Sequence, residues 1–390
     1  MDSKSILFLT NTYPDFESSY RGIFIKKMAL LLKKEGYQPS IVTPKIYKGS
    51  NFYEEQDGMK VYRFPFFAKE KLLIEHEGIP YLRMILYYIS GIFFTLFAML
   101  VNRCYLIHVH WAIPTGLIGA VVGFLLRRPM IVTIHGSDLR IALKRRGLLG
   151  KIFVCVCRAA AHVNCVSETQ RKELKRLGVP NENISTIPMG IDEAFLGKDG
   201  LRRQKSKNGP MIILSNRNLL PMYNVSLLIR AIPIVLKEEP ETKFLIAGEG
   251  VEKEVLEKQT ENLNVNSSVT FLGSIPHKEM PDLLCRADIY VSTSRYDGTS
   301  VSLLEAMGSG AFPVVTDIPA NREWITNGEN GFLVPEDDEE FLARRILDAI
   351  RNHRLVRESL ARNRFIVEKK ALWHECIKGV SKVYANVLNL

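Results

Sequence analysis

Two acidic residues flank a segment that could bind an anion. Asp297 and Glu305 are separated by seven residues, which begin with a Gly-Thr-Ser turn and continue as an apolar, helix-like run. If a helix begins near Ser300, its unpaired N–H groups and the positive end of its dipole face the turn. The hydroxyls of Thr299 and Ser300 can donate to the same anion. The pattern indicates a diphosphate site, although the same turn also occurs in α/β proteins that bind nothing there.

Arg217 and His135 each lie at the end of a run that reads as a strand. Arg217 lies two residues after the run 211–215, and its planar guanidinium suits two phosphate oxygens. His135 ends the run 130–135, at the edge where parallel sheets bind ligands. His110 ends an earlier run and is the weaker of the two histidine candidates. The strand ends therefore predict a phosphate-binding cation, whereas a single histidine is more often structural, so both readings of His135 and His110 stay open at this point.

Two glycines lie where a backbone could approach a ligand closely. Gly22 precedes a helix that is expected to begin near Phe24, so it could bring N–H groups close to a phosphate. A plain strand-to-helix turn explains it equally well. Gly248 belongs to an Ala-Gly-Glu-Gly turn, which is good evidence for a tight turn and, by itself, weak evidence for a nucleotide.

Short strand-like runs alternate with longer helical patterns along the chain. This alternation predicts parallel sheets covered by helices on both faces, and two series of strands predict two doubly wound α/β domains. The polar segment 190–210 between the series reads as a linker. The predicted strands are 6–10, 41–43, 61–64, 106–110, 130–135 and 162–167, then 211–215, 243–247, 269–272, 289–292 and 312–316.

The composition is that of a folded protein without a metal site. The 390 residues are 46% hydrophobic and 24% charged, which allows two domains with cores of their own. The six cysteines show neither paired spacing nor histidine partners at zinc spacing, so we expect reduced thiols, a cytoplasmic protein and no bound metal. The chain enters a strand pattern at once, and we therefore expect it not to be exported.

The net positive charge is confined to the first half of the chain. Residues 1–200 hold 27 Lys and Arg against 17 Asp and Glu, which accounts for the whole net charge of +10. This imbalance suggests that the first half meets an anionic partner. Lipid headgroups and a phosphorylated acceptor are the main alternatives, because the sequence has no nucleic-acid-binding motif.

An apolar run at 84–101 reaches the length of a membrane span. Its eighteen residues contain no charge. A span would place strands of the first sheet on opposite sides of a membrane, so we expect a buried crossover helix, with a helix on the bilayer surface as the alternative. The surface alternative is supported by Arg83, Arg103 and basic clusters at 144–146 and 171–172.

The order of nine short motifs resembles the family 4 glycosyltransferases, which are retaining enzymes of the GT-B fold. The similarity extends over nearly the whole chain. The motifs are Y-P-D to R-G-I-F, I-H-V-H-W-A-I-P-T-G, T-I-H-G-S-D, V-S-E-T, I-P-M-G-I-D, R-N-L-L-P-M-Y-N, A-G-E-G, D-G-T-S-V-S-L-L-E-A-M and N-G-E-N-G-F-L-V-P.

The resemblance implies two facing Rossmann-like, doubly wound domains with a nucleotide-sugar cleft between them. The acceptor-side domain would comprise 1–195 and be joined by the C-terminal helix at 372–390. The nucleotide-sugar-binding domain would comprise 205–371.

The resemblance also implies roles for individual residues. Glu305 would bind the ribose of the donor, Asp297 would hold hydroxyls of the transferred sugar, and His135 would lie near the reacting bond. Arg217 would stabilise the diphosphate as its charge grows. Besides Glu305, the residues expected to bind the donor are Gly22, Arg217, Gly248, Thr299, Ser300 and Val301.

The implied activity is metal-independent sugar transfer from a nucleoside-diphosphate sugar, with a UDP-sugar favoured and no further cofactor. The acceptor would be a lipid-linked glycan or a polysaccharide, including lipopolysaccharide, at the inner face of the cytoplasmic membrane. The chain departs from the family pattern at Asp297, where Glu is usual, and at Tyr223 and Asn224, near which a Lys is frequent. A GT-B sugar epimerase and a non-catalytic nucleotide-sugar-binding subunit are the alternatives.

Overall fold

The computed structural model describes residues 4–16, 21–67, 81–144, 147–197 and 209–389. The chain divides into two compact units, the first comprising Met1–Pro188 with Cys376–Leu390 and the second Met189–Glu375. Each unit contains a largely parallel sheet with helices between its strands. The predicted class of two Rossmann-like α/β domains is confirmed.

The first unit contains an eight-stranded sheet in the order β3-β4-β2-β1-β5-β6-β7-β8, parallel except where β3 pairs with β4. β1, β5 and β6 are buried along their whole length, as expected for strands covered on both faces. The elements are β1 (Ser5–Leu9), α1 (Ile23–Lys34), β2 (Gln38–Lys45), β3 (Tyr53–Gln56), β4 (Met59–Pro65), α2 (Tyr81–Val101), β5 (Leu106–His110), α3 (Thr115–Leu126), β6 (Met130–Ile134), α4 (Ser137–Lys144), α5 (Leu148–Ala159), β7 (His162–Cys165), α6 (Glu168–Arg176) and β8 (Ile184–Thr186).

The second unit contains a six-stranded parallel sheet in the order β11-β10-β9-β12-β13-β14. Its elements are β9 (Ile212–Ser215), α7 (Val225–Glu238), β10 (Lys243–Ala247), α8 (Lys253–Asn262), β11 (Val269–Gly273), α9 (Met280–Arg286), β12 (Ile289–Ser292), α10 (Val301–Ser309), β13 (Phe312–Thr316), α11 (Pro319–Arg322), β14 (Phe332–Val334), α12 (Glu339–Arg351) and α13 (His353–Lys370). α14 (Trp373–Leu388) follows, and its residues from Cys376 onward belong to the first unit.

In each sheet the strand order reverses at one place, so that strands later in the chain are added on the opposite side. This topological switch point predicts a ligand site. In the first unit the change lies between β1 and β5, and in the second it lies between β9 and β12. Ligands of doubly wound sheets bind beyond the carboxyl ends of the two strands that flank this point. Arg217 follows β9 and Asp297 follows β12, whereas His110 ends β5 and His135 follows its neighbour β6.

All eleven predicted strands are present, and the described residues form three more that were not predicted. β3, β8 and β14 have only three or four residues each, too few for a hydrophobic period to show. The C-terminal helix expected at 372–390 corresponds to α14, which begins at Trp373, three residues after α13 ends at Lys370.

α2 is buried on one face only. It packs against β2, β4 and α3, and Tyr87, Ala98 and Met99 are buried there. Its opposite face is exposed, and 33% of the apolar window Arg83–Val101 is buried. By length and composition, α2 is the one helix among the described residues that could cross a membrane, yet its packing makes it a covering helix of the first sheet.

The first part of the predicted linker packs within the second unit. Ile191 N–H donates to the carbonyl of Ala371, Trp373 N–H donates to the carbonyl of Ile191, and Phe195 is fully buried. The rest of that linker, from 198 to 208, lies outside the described residues.

Candidate active site

The loop after β12 ends in the helix that the sequence predicted. α10 begins at Val301, directly after Ser300, and Gly310 ends it in a left-handed conformation with φ 81°. Thr299 and Ser300 are 7% and 1% exposed. The Gly-Thr-Ser turn therefore lies against the amino end of α10, where N–H groups lack acceptors within the helix.

Arg217 and Asp297 form an ion pair at this helix end. Arg217 Nη2 lies 2.7 Å from Asp297 Oδ2, and Nη1 donates to Ser302 Oγ at 3.0 Å. Burial acts to lower the pKa of Arg217, but the negative charge of Asp297 has the opposite and larger effect, so the pKa of Arg217 is raised. The loops after β9 and β12 thus supply a cation and an acid that meet beside the first turn of α10.

Tyr223 packs against the same guanidinium, with its ring centroid 4.3 Å from Arg217 Cζ. The turn that carries Tyr223 is bonded to the loop after β12, since Thr293 Oγ1 donates to the carbonyl of Asn224 at 2.8 Å and Arg295 N–H donates to the carbonyl of Met222 at 3.0 Å. The two loops that hold the ion pair are therefore joined to each other.

Glu305 lies one turn into α10 and is 6% exposed. Its Oε1 lies 3.0 Å from Nε2 of His277, which follows β11 and whose side chain is 54% exposed. The ring of His277 also packs edge-on against Phe195 at 5.2 Å. Glu305 is therefore a shielded carboxylate that contacts a largely exposed histidine ring.

Gly248 allows the β10 turn to pass close to the backbone of Arg217. Its φ is 143°, and a Cβ atom there would lie 2.3 Å from the Arg217 carbonyl oxygen. The N–H of Leu219 donates to the carbonyl of Glu249 at 3.0 Å. The Ala-Gly-Glu-Gly turn therefore supports the segment that carries Arg217.

In the first unit, Gly22 precedes α1 in a left-handed conformation with φ 65°. A Cβ atom there would lie 2.5 Å from the carbonyl oxygen of Thr12, in the loop after β1. Any larger residue would therefore clash with that loop. α1 begins at Ile23, one residue before the predicted start.

His135 and His110 are hydrogen-bonded to each other. His135 Nε2 lies 3.1 Å from His110 Nδ1. Burial lowers the pKa of His135 to about 3 and that of His110 well below its ordinary value. Both rings are therefore neutral at physiological pH and share one hydrogen bond.

Asp138 ties the two histidine-bearing strand ends together. Its carboxylate accepts from the N–H groups of Ala112 at 2.8 Å, Gly136 at 3.1 Å and Leu139 at 3.0 Å. Burial raises the pKa of Asp138 to about 6, although these hydrogen bonds act in the opposite direction.

His108 connects the sheet of the first unit to α14. Its Nδ1 lies 2.6 Å from the hydroxyl of Tyr384, and its Nε2 lies 2.7 Å from Thr133 Oγ1. Burial lowers the pKa of His108 to about 3. Both ring nitrogens have partners, which indicates a structural role.

The structure brings seven of the nine predicted site residues into the second unit and places His135 and Gly22 in the first. Sequence reasoning did not select Ser302, His277 or Asp138. His277 follows a predicted strand, so the strand-end rule could have found it. Ser302 and Asp138 had no such signal, because their roles depend on contacts. Among the described residues, no three His, Cys, Asp or Glu side chains form a group that could hold a metal ion.

Two family models match successive parts of the chain. A model described as Glycosyltransferase Family 4 matches residues 22–195, and one described as Glycosyl transferases group 1 matches residues 198–366. The chain belongs to the family 4 glycosyltransferases.

Two curated glycosyltransferases illustrate how far the similarity extends. This glycosyltransferase is 28% identical over 283 residues to an uncharacterized glycosyltransferase of Methanocaldococcus jannaschii, covering 72% of this chain and 74% of that protein. It is 24% identical over 353 residues to the alpha-monoglucosyldiacylglycerol synthase of Streptococcus pneumoniae, covering 84% of this chain and 74% of that protein.

A solved structure shares the fold over its whole length. The crystal structure of the HepE protein of Anabaena in complex with UDP matches this glycosyltransferase with a TM-score of 0.76 at 17% identity, covering 98% of this chain and 100% of that chain. The GT-B fold predicted from the motifs is thereby confirmed.

Proposed function

We propose that this glycosyltransferase is a retaining, metal-independent enzyme that transfers a sugar from a nucleoside-diphosphate sugar to a lipid-linked or polysaccharide acceptor. The observation that carries the proposal is the convergence of Arg217 with the amino end of α10, beside Thr299 and Ser300. A cation, a helix end and hydroxyl groups are the donors that a departing diphosphate requires.

In this proposal the two acids bind different parts of the donor. Glu305 is buried in α10 and accepts hydrogen bonds from the ribose hydroxyls in place of His277. Asp297 lies before the helix and accepts from hydroxyls of the transferred sugar. Arg217 and α10 stabilise the charge on the leaving diphosphate, and an oxygen of that group takes the proton of the acceptor. No residue of the chain needs to form a covalent intermediate.

A UDP-sugar is the favoured donor, and a lipid is the favoured acceptor class. The HepE structure named above contains UDP, and the streptococcal relative is named for the synthesis of a glucosyldiacylglycerol. Both properties belong to those proteins and give direction to the tests on this one.

We also propose that the first unit contacts an anionic membrane surface from the cytoplasmic side. The exposed face of α2 carries Ile85, Ile89, Phe93 and Phe97, each 47% to 65% exposed. A helix that presents large apolar groups to solvent, in a unit with excess positive charge, has the properties of an interfacial helix. Flotation with anionic and with neutral vesicles tests this; absence from both lipid fractions would exclude it.

Donor binding gives the first test. UDP-, GDP- and ADP-sugars are screened for protection against thermal unfolding, where a ligand at about a hundred times its dissociation constant stabilises by roughly 2.7 kcal/mol. Glu305→Gln should weaken binding of the selected nucleotide by about tenfold to a hundredfold, because hydrogen bonds to a charged group are lost.

Glu329→Gln is the matched control, since Glu329 is exposed in the same unit and pairs with Arg362. Equal affinity of Glu305→Gln and the parent would exclude the ribose assignment. Turnover that requires an acceptor, with retention at the anomeric carbon by NMR, separates the transferase from an epimerase and from a non-catalytic subunit.

A further inference from the structure

The guanidinium of Arg217 is held on three sides by residues of its own unit. Asp297 pairs with Nη2 at 2.7 Å, Ser302 accepts from Nη1 at 3.0 Å, and the Tyr223 ring lies 4.3 Å from Cζ. The side chains of Arg217 and Asp297 are 8% and 17% exposed. The pair is therefore shielded from solvent, where Coulomb interactions are stronger than at an open surface.

This arrangement conflicts with free use of Arg217 as a phosphate ligand. A carboxylate on the guanidinium cancels most of the attraction that an arriving diphosphate would feel, and it repels the diphosphate from a similar distance. The Nη2 hydrogen that bonds to Asp297 Oδ2 can serve only one acceptor, so a phosphate oxygen that takes this short, charge-assisted bond must displace the carboxylate.

Both departures from the family pattern meet at this guanidinium. Asp297 stands where Glu is usual, and Tyr223 lies in the turn where a Lys is frequent. In the structure, one is the counterion of Arg217 and the other is its stacking partner. Compared with the family pattern, the turn after β9 has Tyr223 where a cation is frequent, and the guanidinium of Arg217 is already paired with a carboxylate.

We propose that Asp297 is an internal counterion of Arg217 that the donor diphosphate must displace, so that the carboxylate competes with the donor before it is released toward the transferred sugar. The inference rests on the proposed donor site.

The remaining contacts explain why Arg217 keeps its position after the exchange. The Tyr223 ring supports the face of the guanidinium, and Ser302 holds Nη1 in the first turn of α10, where an anion is favoured. A released carboxylate accepts hydrogen bonds and cannot donate them, so it suits sugar hydroxyls and avoids phosphate oxygens.

The test compares UDP binding with turnover in the full-length protein. Asp297→Asn removes the competing charge while its amide can still contact Arg217, so UDP should bind about tenfold tighter, which corresponds to about 1.4 kcal/mol. Turnover should fall at least tenfold, because the sugar loses its charged acceptor. A residue with only a structural role would weaken both properties when replaced.

Three further variants complete the experiment. Asp297→Glu retains the charge and should bind UDP within about threefold of the parent. Asp297→Ser removes both the charge and the contact and should also bind more tightly, which separates competition from amide-specific effects. Asp317→Asn is the matched control, because Asp317 forms an exposed pair with Arg322 in the same unit; its UDP affinity should be unchanged.

Two results overturn the inference in distinguishable ways. If the parent binds UDP and Asp297→Asn binds it equally or more weakly, the carboxylate orients Arg217 and does not compete. If the parent binds none of UDP, GDP and ADP, the donor site itself is wrong.

Discussion

Which of His110 and His135 donates the hydrogen bond between them can be inferred from the surroundings of the other ring nitrogen of His110, Nε2. Nε2 of His110 is buried and has no hydrogen-bond partner among the described residues. If His135 donated from Nε2, neutral His110 would carry its own proton on this partnerless atom. Buried N–H groups without acceptors are rarer than buried acceptors without donors. His110 therefore donates from Nδ1, which leaves His135 with its proton on Nδ1. If His135 has its predicted role near the reacting bond, this N–H is the group that would donate to the donor sugar.

This assignment predicts different effects for two replacements of His110. His110→Asn keeps a donor near the position of Nδ1 and should retain most of the turnover. His110→Phe keeps a ring without a donor and should lower turnover by about tenfold, since a hydrogen bond of about 1 kcal/mol or more is lost. UDP affinity should stay unchanged in both.

The tautomer itself is the decisive measurement for that prediction. With ¹⁵N-labelled histidine, the parent and His110→Asn should show His135 protonated on Nδ1, and His110→Phe should show a mixture. His353→Phe, at an exposed position, controls for the loss of a histidine. Identical turnover and spectra of the Asn and Phe variants would contradict the assignment.

Residue types were more predictable than residue partners. Arg217, Asp297 and Glu305 could be selected because strand ends and a helix start can be read from a sequence. Their contacts could not, because Ser302 and His277 reach the site through the packing of β11 and α10 against neighbouring elements. Their roles as ligands stay predictions until donor binding is measured.

At the scale of elements, the exposed face of α2 continues into a basic edge. α2 and α3 both lead into strands through short connections, so their C-terminal ends lie at the amino edge of the sheet. Leu100 and Phe124 are 64% and 85% exposed there, and Arg103, Arg127 and Arg128 are exposed beside them in sequence. Apolar groups next to arginines suit insertion at an anionic lipid surface.

Replacement of two α2 aromatics should therefore weaken vesicle binding. The double variant Phe93→Ser and Phe97→Ser removes two large groups that are 65% and 47% exposed. It should lower the partition coefficient onto anionic vesicles by at least tenfold, because each side chain contributes up to about 1.5–3 kcal/mol when it is fully buried and these two are already partly buried in the protein.

Phe365→Ser provides the control, because Phe365 is 59% exposed in the second unit. Its flotation should equal that of the parent. Transfer to a soluble acceptor should be unchanged in the double variant. Unaltered flotation of the double variant would show that α2 does not contact the lipid.

The elements themselves could largely be read from the sequence. β1, β5, β6, β9 and β13 are short, apolar and bounded by turns, which is the pattern of buried parallel strands. β3, β8 and β14 are edge strands of the two sheets. Each forms only by pairing with a strand elsewhere in the chain, and the local sequence does not show which strand that is. α2 was predicted as buried because composition alone does not distinguish a helix buried all round from one with an exposed apolar face.

At the scale of the whole molecule, the two units should differ in their response to acid. His108 and His135 have pKa values lowered to about 3, and that of His110 is lowered well below its ordinary value, all mainly by burial. All three lie in the first unit. Below about pH 6.5 the unfolded chain binds protons at these positions that the folded unit excludes, so its stability falls as the pH falls.

Asp138 acts in the opposite direction over part of this range. Its pKa is raised to about 6, so between its ordinary value near 4 and pH 6 the folded state holds a proton that the unfolded chain releases. The two histidines with pKa values near 3 exceed this one acid by one proton. The free energy of unfolding of the first unit should therefore decrease by at least about 1.4 kcal/mol per pH unit between about pH 6 and pH 4, and the lowered pKa of His110 acts in the same direction.

Urea unfolding at pH 7.5 and pH 5.5, followed by hydrogen exchange with mass spectrometry, measures this for each unit separately. Peptides from β1, β5 and β6 should lose protection at the lower pH, whereas those from β9, β12 and β13 should keep it. His108→Asn cannot take up the proton, so it should reduce the pH dependence by about 1.4 kcal/mol per pH unit whatever its effect on stability at pH 7.5. His353→Asn, at an exposed position of the second unit, is the matched control for the loss of a histidine. Equal loss of protection in both units would mean that the buried histidines do not control the acid response of the first unit.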